Sequence, residues 1–343
     1  MKIGLIFAGQ GAQHTGMGKD LYETSEAAKK VIDIAGEEIK GWCFEGTKEM
    51  LRQTNITQPC IYTVTMAAYE AFLEEISKLT NEQKDSVEIM GMAGFSLGEY
   101  AALTAGGAIE DYEIGLNVVK QRGKWMNEAG LNENGEGKGG MIAAFGDRTK
   151  ILECVKTVRE DGILEGVNFN SPIQTVVAGD KEALARFRKK AKEQGDIKAV
   201  PLSVSTAFHS PMMESAVKKL KPLLLESNLK EPVFKLYSNV TGKDLMEGAD
   251  KPADKWIADI MAKQAMSPVY WQEIVENIIA DGAQVLVEIG PGNTLSGLVK
   301  KINHDMITMN VSDEETLKLT IKRIIDLLKK EEAGEELIEE GEK

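Results

Sequence analysis

Cysteine and long apolar runs are both scarce in this sequence, and each shortage excludes a class of protein. The three cysteines, Cys43, Cys60 and Cys154, lie far apart without CxxC spacing, which argues against a disulfide framework and a zinc site. No run of about 18 or more apolar residues occurs, as a membrane-spanning helix would require. The first apolar stretch, residues 2–8, is too short for a signal peptide. We therefore expect a cytoplasmic protein with reduced thiols and no membrane partner.

Positive charge is also in short supply. The chain has 41 lysines and arginines against 54 aspartates and glutamates, a formal net charge of -13. Nucleic-acid phosphates favour a basic surface, so we expect no nucleic-acid partner. At 343 residues and 43% hydrophobic composition, the chain can bury a large core, which argues against a disordered or fibrous protein.

Short apolar runs alternate with amphipathic helical stretches, the pattern of a sheet flanked by helices. The runs at 2–8, 87–95, 284–290 and 306–311 predict buried strands. Apolar spacing from Tyr112 onward predicts a helix that carries Arg122. The predicted fold class is α/β.

A polar, glycine-rich break at 132–140 precedes a different order of elements. The pattern predicts strand 141–146, helix 151–159, strands 163–168 and 175–178, helix 182–194 and strand 198–205. This βαββαβ order is the ferredoxin-like arrangement. We therefore predict a large catalytic domain at 1–128 and 204–312, an insert at 129–203, and a C-terminal helix with a solvated acidic tail at 313–343.

The candidate nucleophile is Ser96, in Gly94-Phe95-Ser96-Leu97-Gly98. This GxSxG pattern lies between a predicted strand and a predicted helix, where it places a serine on a tight turn at the edge of a sheet. A GxSxG pattern alone also arises by chance, and the strand and helix on either side give this one its weight.

The candidate base is His209, one of three histidines. It lies in a loop just after the predicted insert, a position suited to a general base. The alternative is a histidine that only fills a crevice between domains. His14 and His304 lie in a glycine-rich turn and a polar loop, and for both a surface histidine is the better interpretation.

Two further features suggest how a substrate is held. The Gly9-Gln10-Gly11 turn follows the first strand, so the N–H groups of Gln10 and Leu97 could form an oxyanion hole; a dinucleotide turn is the weaker alternative, because the third glycine is missing. Arg122 could hold a carboxylate in two hydrogen bonds. An isolated helix arginine is, however, usually a solvated cation.

A series of motifs in order, over about residues 3 to 310, carries a resemblance to a known family. The motifs are IFAGQGAQHTGMG, the pair Gln58-Pro59, AGFSLGEYAAL, QRGKWM, GGMIAAFG, VNFNSPIQTVVAG, VSTAFHSPMM, YSNVTG, QAMSPVYW and EIGPGNTLSGL. Together they resemble the malonyl-CoA:acyl carrier protein transacylases of type II fatty acid synthesis and the acyltransferase domains of polyketide synthases. The resemblance implies an α/β-hydrolase-like core with a ferredoxin-like insert.

The same resemblance implies a role for each matching catalytic position. Ser96 would be the nucleophile and His209 its base, and a backbone carbonyl at Gln264, rather than a carboxylate, would orient the histidine. The N–H groups of Gln10 and Leu97 would form the oxyanion hole. Malonyl would pass from coenzyme A, through an ester on Ser96, to the thiol of an acyl carrier protein. Coenzyme A thioester is thus a substrate, and no cofactor or metal is expected.

Substrate recognition is implied at four more positions. Arg122 would clamp the malonyl carboxylate, and Phe208 in the AFHS motif is typical of members that select malonyl over methylmalonyl. Asn170 and Asn239 would support the site. The sequence departs from the family at Phe95, where histidine is common, and at Ala8, where proline is common; the first change is expected to alter packing and selectivity.

The partner predictions and the rival functions follow from the same resemblance. Basic residues on the second insert helix are candidates for docking the acidic carrier protein, although a solvated helix face explains them equally. These residues are Arg186, Arg188, Lys189, Lys190 and Lys192. The rivals are a serine hydrolase, a trans-acting polyketide or malonate-decarboxylase acyltransferase, and an inactive scaffold that only docks carrier protein.

Overall fold

The computed structural model describes residues 1–204, 206–335 and 337, which form a mixed α/β fold with a parallel sheet and a separate antiparallel sheet. The strands are β1 (Lys2–Phe7), β2 (Glu88–Gly94), β3 (Gly139–Phe145), β4 (Leu164–Ser171), β5 (Gln174–Asp180), β6 (Lys198–Pro201), β7 (Leu236–Tyr237), β8 (Val285–Ile289) and β9 (Ile307–Val311). The helices are α1 (Lys19–Thr24), α2 (Glu26–Ala35), α3 (Glu37–Glu45), α4 (Thr54–Ser77), α5 (Asn81–Asp85), α6 (Gly98–Ala105), α7 (Tyr112–Ala129), α8 (Arg148–Val158), α9 (Lys181–Gln194), α10 (Glu214–Glu226), α11 (Ala253–Gln264), α12 (Trp271–Ala280), α13 (Thr294–Ile302) and α14 (Glu314–Glu332).

The parallel sheet has the order β7-β2-β1-β8-β9, with β1 at its centre. Every residue of β1 after Lys2 is buried, as expected for a strand covered on both faces. Phe7, at the end of β1, pairs with Gly94 of β2 and Ile289 of β8. The loops that follow β1 and β2 therefore leave the same edge of the sheet, where ligands bind in parallel α/β folds.

Helices α4 and α7 pack closely beside this edge. Helix α4 is buried on nearly every side from Thr54 to Phe72. Its apolar residues therefore surround the helix instead of forming the single stripe of a surface helix. Gly115 and Gly123 of α7 permit the close approach: a Cβ at Gly115 would lie 1.9 Å from Tyr62 Oη, and one at Gly123 would lie 3.0 Å from Thr54 O. The approach brings Arg122 of α7 against α4.

The antiparallel sheet has the order β4-β5-β3-β6 and the chain order β3-α8-β4-β5-α9-β6. Its residues Ile142 and Leu164 pack with Phe187 of α9 in a separate apolar cluster. Its other face joins the main core. Two backbone hydrogen bonds tie β4 to the segment before α12, from Phe169 N to Val269 O (2.9 Å) and from Val269 N to Val167 O (2.8 Å).

The predicted mixed α/β fold is confirmed, and the boundaries differ in particular places. The predicted strand 198–205 is too long, because β6 ends at Pro201; Ser205 lies outside the described residues. Helices α11 and α12 are separated by a break that contains Pro268, which does not continue a helix. The end of the predicted acidic tail, residue 336 and residues 338–343, also lies outside the described part of the chain. In that part, no helix is long and apolar enough to cross a membrane.

Candidate active site

Ser96 lies on a tight turn between β2 and α6. Its φ of 51° is in the left-handed region, which a residue with a side chain seldom adopts. A Cβ at Gly94 would lie 1.9 Å from the Gly98 carbonyl carbon, and a Cβ at Gly98 would lie 2.1 Å from Phe7 O. Only glycine fits at both places, and the turn presents a half-buried serine at the edge of the sheet.

Asn239, in the loop after β7, fixes this turn. Its Oδ1 accepts a hydrogen bond from Ser96 N (2.7 Å), and its Nδ2 donates to Gly94 O (2.7 Å). Asn239 is fully buried. Its polar side-chain atoms are thus used to hold the serine in its left-handed conformation.

His209 lies beside the serine, with Nε2 2.7 Å from Ser96 Oγ. Its Nδ1 lies 3.0 Å from Gln264 O and 3.1 Å from Ser267 O. Because both neighbours are carbonyl acceptors, Nδ1 carries the hydrogen and Nε2 is left to accept the serine proton. Burial, and then the charge of Arg122, lowers the pKa of His209 to about 4. The imidazole is therefore a neutral base at pH 7.

Arg122 is fully buried, so the alternative of a solvated helix cation is wrong. Its Nη2 donates to Ser96 Oγ (3.1 Å) and to Gln264 Oε1 (3.0 Å). Its Nη1 donates to Gln58 Oε1 (2.8 Å), and the guanidinium lies 5.1 Å from the centre of the Tyr100 ring. Its Nε has no partner among the described residues. Burial disfavours the cation and lowers the pKa of Arg122. A carboxylate that binds this guanidinium would therefore offset the free-energy cost of burying its charge.

Three residues of the network were not singled out as site residues from the sequence. Gln58 and Ser267 lie within quoted motifs, yet their contacts with Arg122 and His209 depend on tertiary packing. Glu99 is 3% exposed and accepts hydrogen bonds from Gln264 Nε2 (2.9 Å) and Asn239 N (3.1 Å). In the sequence, the feature that marks Glu99 is that it is the one charged residue in the otherwise apolar segment that forms α6.

The two predicted oxyanion donors belong to the nucleophile turn and to the loop packed against it. Leu97 directly precedes α6, and the Gly9–Gln10 loop approaches so closely that a Cβ at Gly9 would lie 2.5 Å from Phe95 O. Within the described residues, neither the Gln10 N–H nor the Leu97 N–H donates a hydrogen bond to another protein group. Both donors are therefore available to a ligand.

Two other predicted substrate residues, Phe208 and Asn170, make no side-chain hydrogen bond with Ser96 or His209 in the described structure. Phe208, next to His209, is 8% exposed and belongs to the main apolar core. Asn170, on β4, is 6% exposed, and its Oδ1 has no partner in the described structure. No hydrogen bond found there joins Asn170 to the serine or histidine. His14 is exposed, and His304, with a side chain 94% exposed, lies beside Asp305.

The two departures from the family pattern both lie at the site. Phe95 packs edge-on against the buried ring of Trp271, with ring centroids 5.4 Å apart. Ala8 is buried, and its N–H donates to Ile289 O (3.0 Å), a bond that proline could not make. Along the described chain, no cluster of three histidine, cysteine or acidic side chains is arranged to hold a metal ion.

The chain is similar to known acyl transferases over nearly its whole length. Residues 5–335 match the model of the acyl transferase domain family. A curated malonyl CoA-acyl carrier protein transacylase from Bacillus subtilis (strain 168) is 38% identical over 329 residues, covering 94% of this chain and 97% of that protein. This chain belongs to that acyl transferase family.

Solved structures agree with the family assignment. A malonyl CoA-acyl carrier protein transacylase from Clostridium perfringens superposes with a TM-score of 0.86 at 35% identity, covering 97% of this chain and all of that one. A malonyl-transacylase solved in complex with a type II PKS acyl-carrier protein superposes with a TM-score of 0.84 at 32% identity, covering 94% of this chain and all of that one. The resemblance inferred from the motifs is confirmed at the level of the acyl transferase family.

Proposed function

We propose that this chain transfers malonyl from malonyl-CoA to the phosphopantetheine thiol of an acyl carrier protein, which supplies fatty acid elongation. The observation that carries the proposal is that one serine oxygen meets both a neutral histidine (2.7 Å) and a buried arginine fork (3.1 Å). A base activates the oxygen, and a cation beside it matches an acyl group that ends in a carboxylate. The named activity of the relatives supports the same substrate.

The first half-reaction forms an ester on Ser96. His209 Nε2 takes the Ser96 Oγ proton as Oγ attacks the thioester carbonyl carbon, and the Gln10 and Leu97 N–H groups stabilise the oxyanion. The carbon–sulfur bond then breaks, and the His209 proton passes to the departing coenzyme A sulfur. Arg122 holds the malonyl carboxylate throughout, which disfavours acetyl groups.

The second half-reaction runs the same steps in reverse. The carrier-protein thiol gives its proton to His209 and attacks the ester carbon, and the Ser96 Oγ leaves with that proton. Transfer therefore requires a ping-pong mechanism, with coenzyme A released before the carrier thiol enters. A hydrolase would use the same serine and histidine, but it would have no use for a buried arginine fork.

Intact-mass spectrometry tests this function. Brief exposure to malonyl-CoA should add a malonyl mass that is absent in Ser96→Ala, weaker in Arg122→Ala and lost when holo carrier protein is added. Acetyl-CoA should give less adduct with the parent protein. An adduct lost to water as quickly as to carrier protein would favour a hydrolase, and no adduct would favour a docking scaffold.

The carrier protein is proposed to dock at basic residues of α9. Arg188, Lys189 and Lys192 are exposed, whereas Arg186 donates to the Val158 and Arg159 carbonyls. Lys190 completes the predicted patch. Charge reversal at the three exposed positions should raise KM for carrier protein and leave acylation by malonyl-CoA unchanged. Reversal of the exposed Lys318, Lys322 and Lys329 on α14 is the matched control, and equal effects from both sets would contradict this docking site.

The finer fold description is also a proposal: an α/β-hydrolase-like core at 1–128 and 204–312, a ferredoxin-like insert at 129–203, and a C-terminal helix and tail at 313–343. The chain order β3-α8-β4-β5-α9-β6 and the sheet order β4-β5-β3-β6 support the insert. Strands of the parallel sheet, which lie before and after it in the chain, support the divided core. The cytoplasmic location and the absence of a cofactor stay predictions of the sequence.

A further inference from the structure

Glu99 is a buried carboxyl group that the proposed mechanism does not use. It is the second residue of α6, three positions after the nucleophile, and is 3% exposed. Burial raises its pKa to about 7, although hydrogen bonds and the charge of Arg122 oppose the rise. Keeping a carboxyl group in such a place costs stability unless its oxygens are bonded. Its contacts are therefore informative.

The contacts of Glu99 determine which way the Gln264 amide points. Gln264 Nε2 donates to Glu99 Oε2 (2.9 Å) and to Ser96 O (2.6 Å), and its Oε1 accepts from Arg122 Nη2 (3.0 Å). An amide has nearly the same shape in its two orientations, so its neighbours select one of them. Two acceptors on one side place the NH2 there and turn the oxygen toward Arg122.

The Gln264 amide also separates the two buried charges. Within the described residues, no ion pair within 4 Å joins Glu99 to Arg122, and the amide stands between them. A direct pair would occupy the guanidinium fork that must accept a substrate carboxylate. Through the amide, Glu99 compensates the buried cation without itself occupying the guanidinium, whose Nη groups meet, among the described residues, only neutral partners that a substrate carboxylate can displace.

The other oxygen of Glu99 acts on the nucleophile turn. Oε1 accepts a hydrogen bond from the backbone N–H of Asn239 (3.1 Å), the residue whose side chain holds Ser96 N and Gly94 O. Glu99 thus contacts both residues that fix the geometry between the nucleophile and the arginine. It touches neither reacting atom itself.

We propose that Glu99 is a positioning residue for the malonyl carboxylate, acting through Gln264 on Arg122 and through Asn239 on Ser96. The inference rests on the proposed function and deepens it, since it states how the acyl carboxylate is selected. The relevant change is Glu99→Gln. Each oxygen of Glu99 accepts one N–H, so an amide in its place must direct its NH2 at one of these two donors.

The test compares kcat and KM for malonyl-CoA and acetyl-CoA in the parent protein and in Glu99→Gln. We expect kcat/KM for malonyl-CoA to fall about 10-fold to 100-fold, as for the loss of a hydrogen bond to a charged group. Acetyl-CoA should be affected less, so the malonyl preference falls. Glu70→Gln, at a partly buried glutamate of α4, is the matched control. Glu99→Asp keeps the carboxylate and should restore part of the malonyl preference, and a thermal melt of each variant shows whether it is folded.

A double-mutant cycle tests whether the effect passes through Arg122. In an Arg122→Ala background, Glu99→Gln should lower kcat/KM for malonyl-CoA by a clearly smaller factor than in the parent, because only the route through Asn239 then remains and coupled residues are not additive. Effects that multiply, or an unchanged malonyl preference in Glu99→Gln, would overturn the inference while leaving the function intact. A parent protein without malonyl transfer would overturn the function, and this inference with it.

The pH dependence gives a readout that a purely structural role would not change. The charged and titratable groups near Glu99 are Arg122 on α7 and Tyr100 on α6. As pH falls through about 7, a proton on Glu99 removes one acceptor, so the malonyl preference of the parent should fall. The preference of Glu99→Gln should be flat there. A flat parent profile between pH 5 and 8 would contradict the proposal.

Discussion

Replacing Asn239 by alanine tests how the nucleophile turn is held. The change removes two hydrogen bonds of 2.7 Å, one from Ser96 N and one to Gly94 O. Asn239 is fully buried, so no water replaces it readily and both backbone groups lose their partner. Each buried unpaired group costs about 1–3 kcal/mol, and the two together predict a loss of about 2–6 kcal/mol in the free energy of unfolding.

Urea unfolding followed by tryptophan fluorescence measures this loss, with Asn134→Ala as the control. Asn134 is exposed, and its replacement should change stability by no more than about 0.5 kcal/mol. Formation of the malonyl adduct should also slow by roughly tenfold or more, because a serine that leaves its left-handed conformation is misplaced relative to His209. A loss below about 0.5 kcal/mol together with an unchanged acylation rate would refute the reasoning.

Two further predictions concern the base and the glycines of the turn. Because the pKa of His209 is lowered to about 4, capture of Ser96 by an uncharged organophosphonate should decline only as pH falls toward 4. Arg122→Met should move that decline to higher pH, and a parent decline centred near 6.5 would contradict the argument. Gly98→Ala should prevent folding or lower the free energy of unfolding by more than about 4 kcal/mol in urea, since its Cβ would meet Phe7 O at 2.1 Å. Gly297→Ala, in α13 with nothing within 4 Å, should instead stabilise by up to about 1 kcal/mol, and similar losses at both glycines would show that the clash is not the cause.

The sequence was sufficient where the determinant is local. Alternating apolar runs located the central strands, and GxSxG between a strand and a helix located the turn at Ser96. The choice of His209 was narrow because the chain has only three histidines. The two-residue β7 carries too little pattern to be recognised.

The parts that could not be predicted from the residues themselves depend on contacts between distant segments. Helical spacing placed Arg122 on a helix but left its burial open, because that burial depends on Gln58 and Gln264. The sequence gives little reason to single out Glu99, because a charged residue is usually exposed. Nothing in the neighbouring residues specifies that Gln264, 165 positions away, will donate to it.

The central place of β1 in the parallel sheet has a consequence for synthesis on the ribosome. Its partner β2 ends at Gly94, whereas its other partner, β8, is complete only at Ile289. From the end of β1 at Phe7 to the end of β8 at Ile289 the ribosome adds 282 residues (289 minus 7). At about 5 to 20 residues per second, the β8 edge of β1 stays unpaired for roughly 15 to 55 seconds. An unpaired apolar edge is a template for aggregation, so the nascent chain is expected to need a chaperone over that interval.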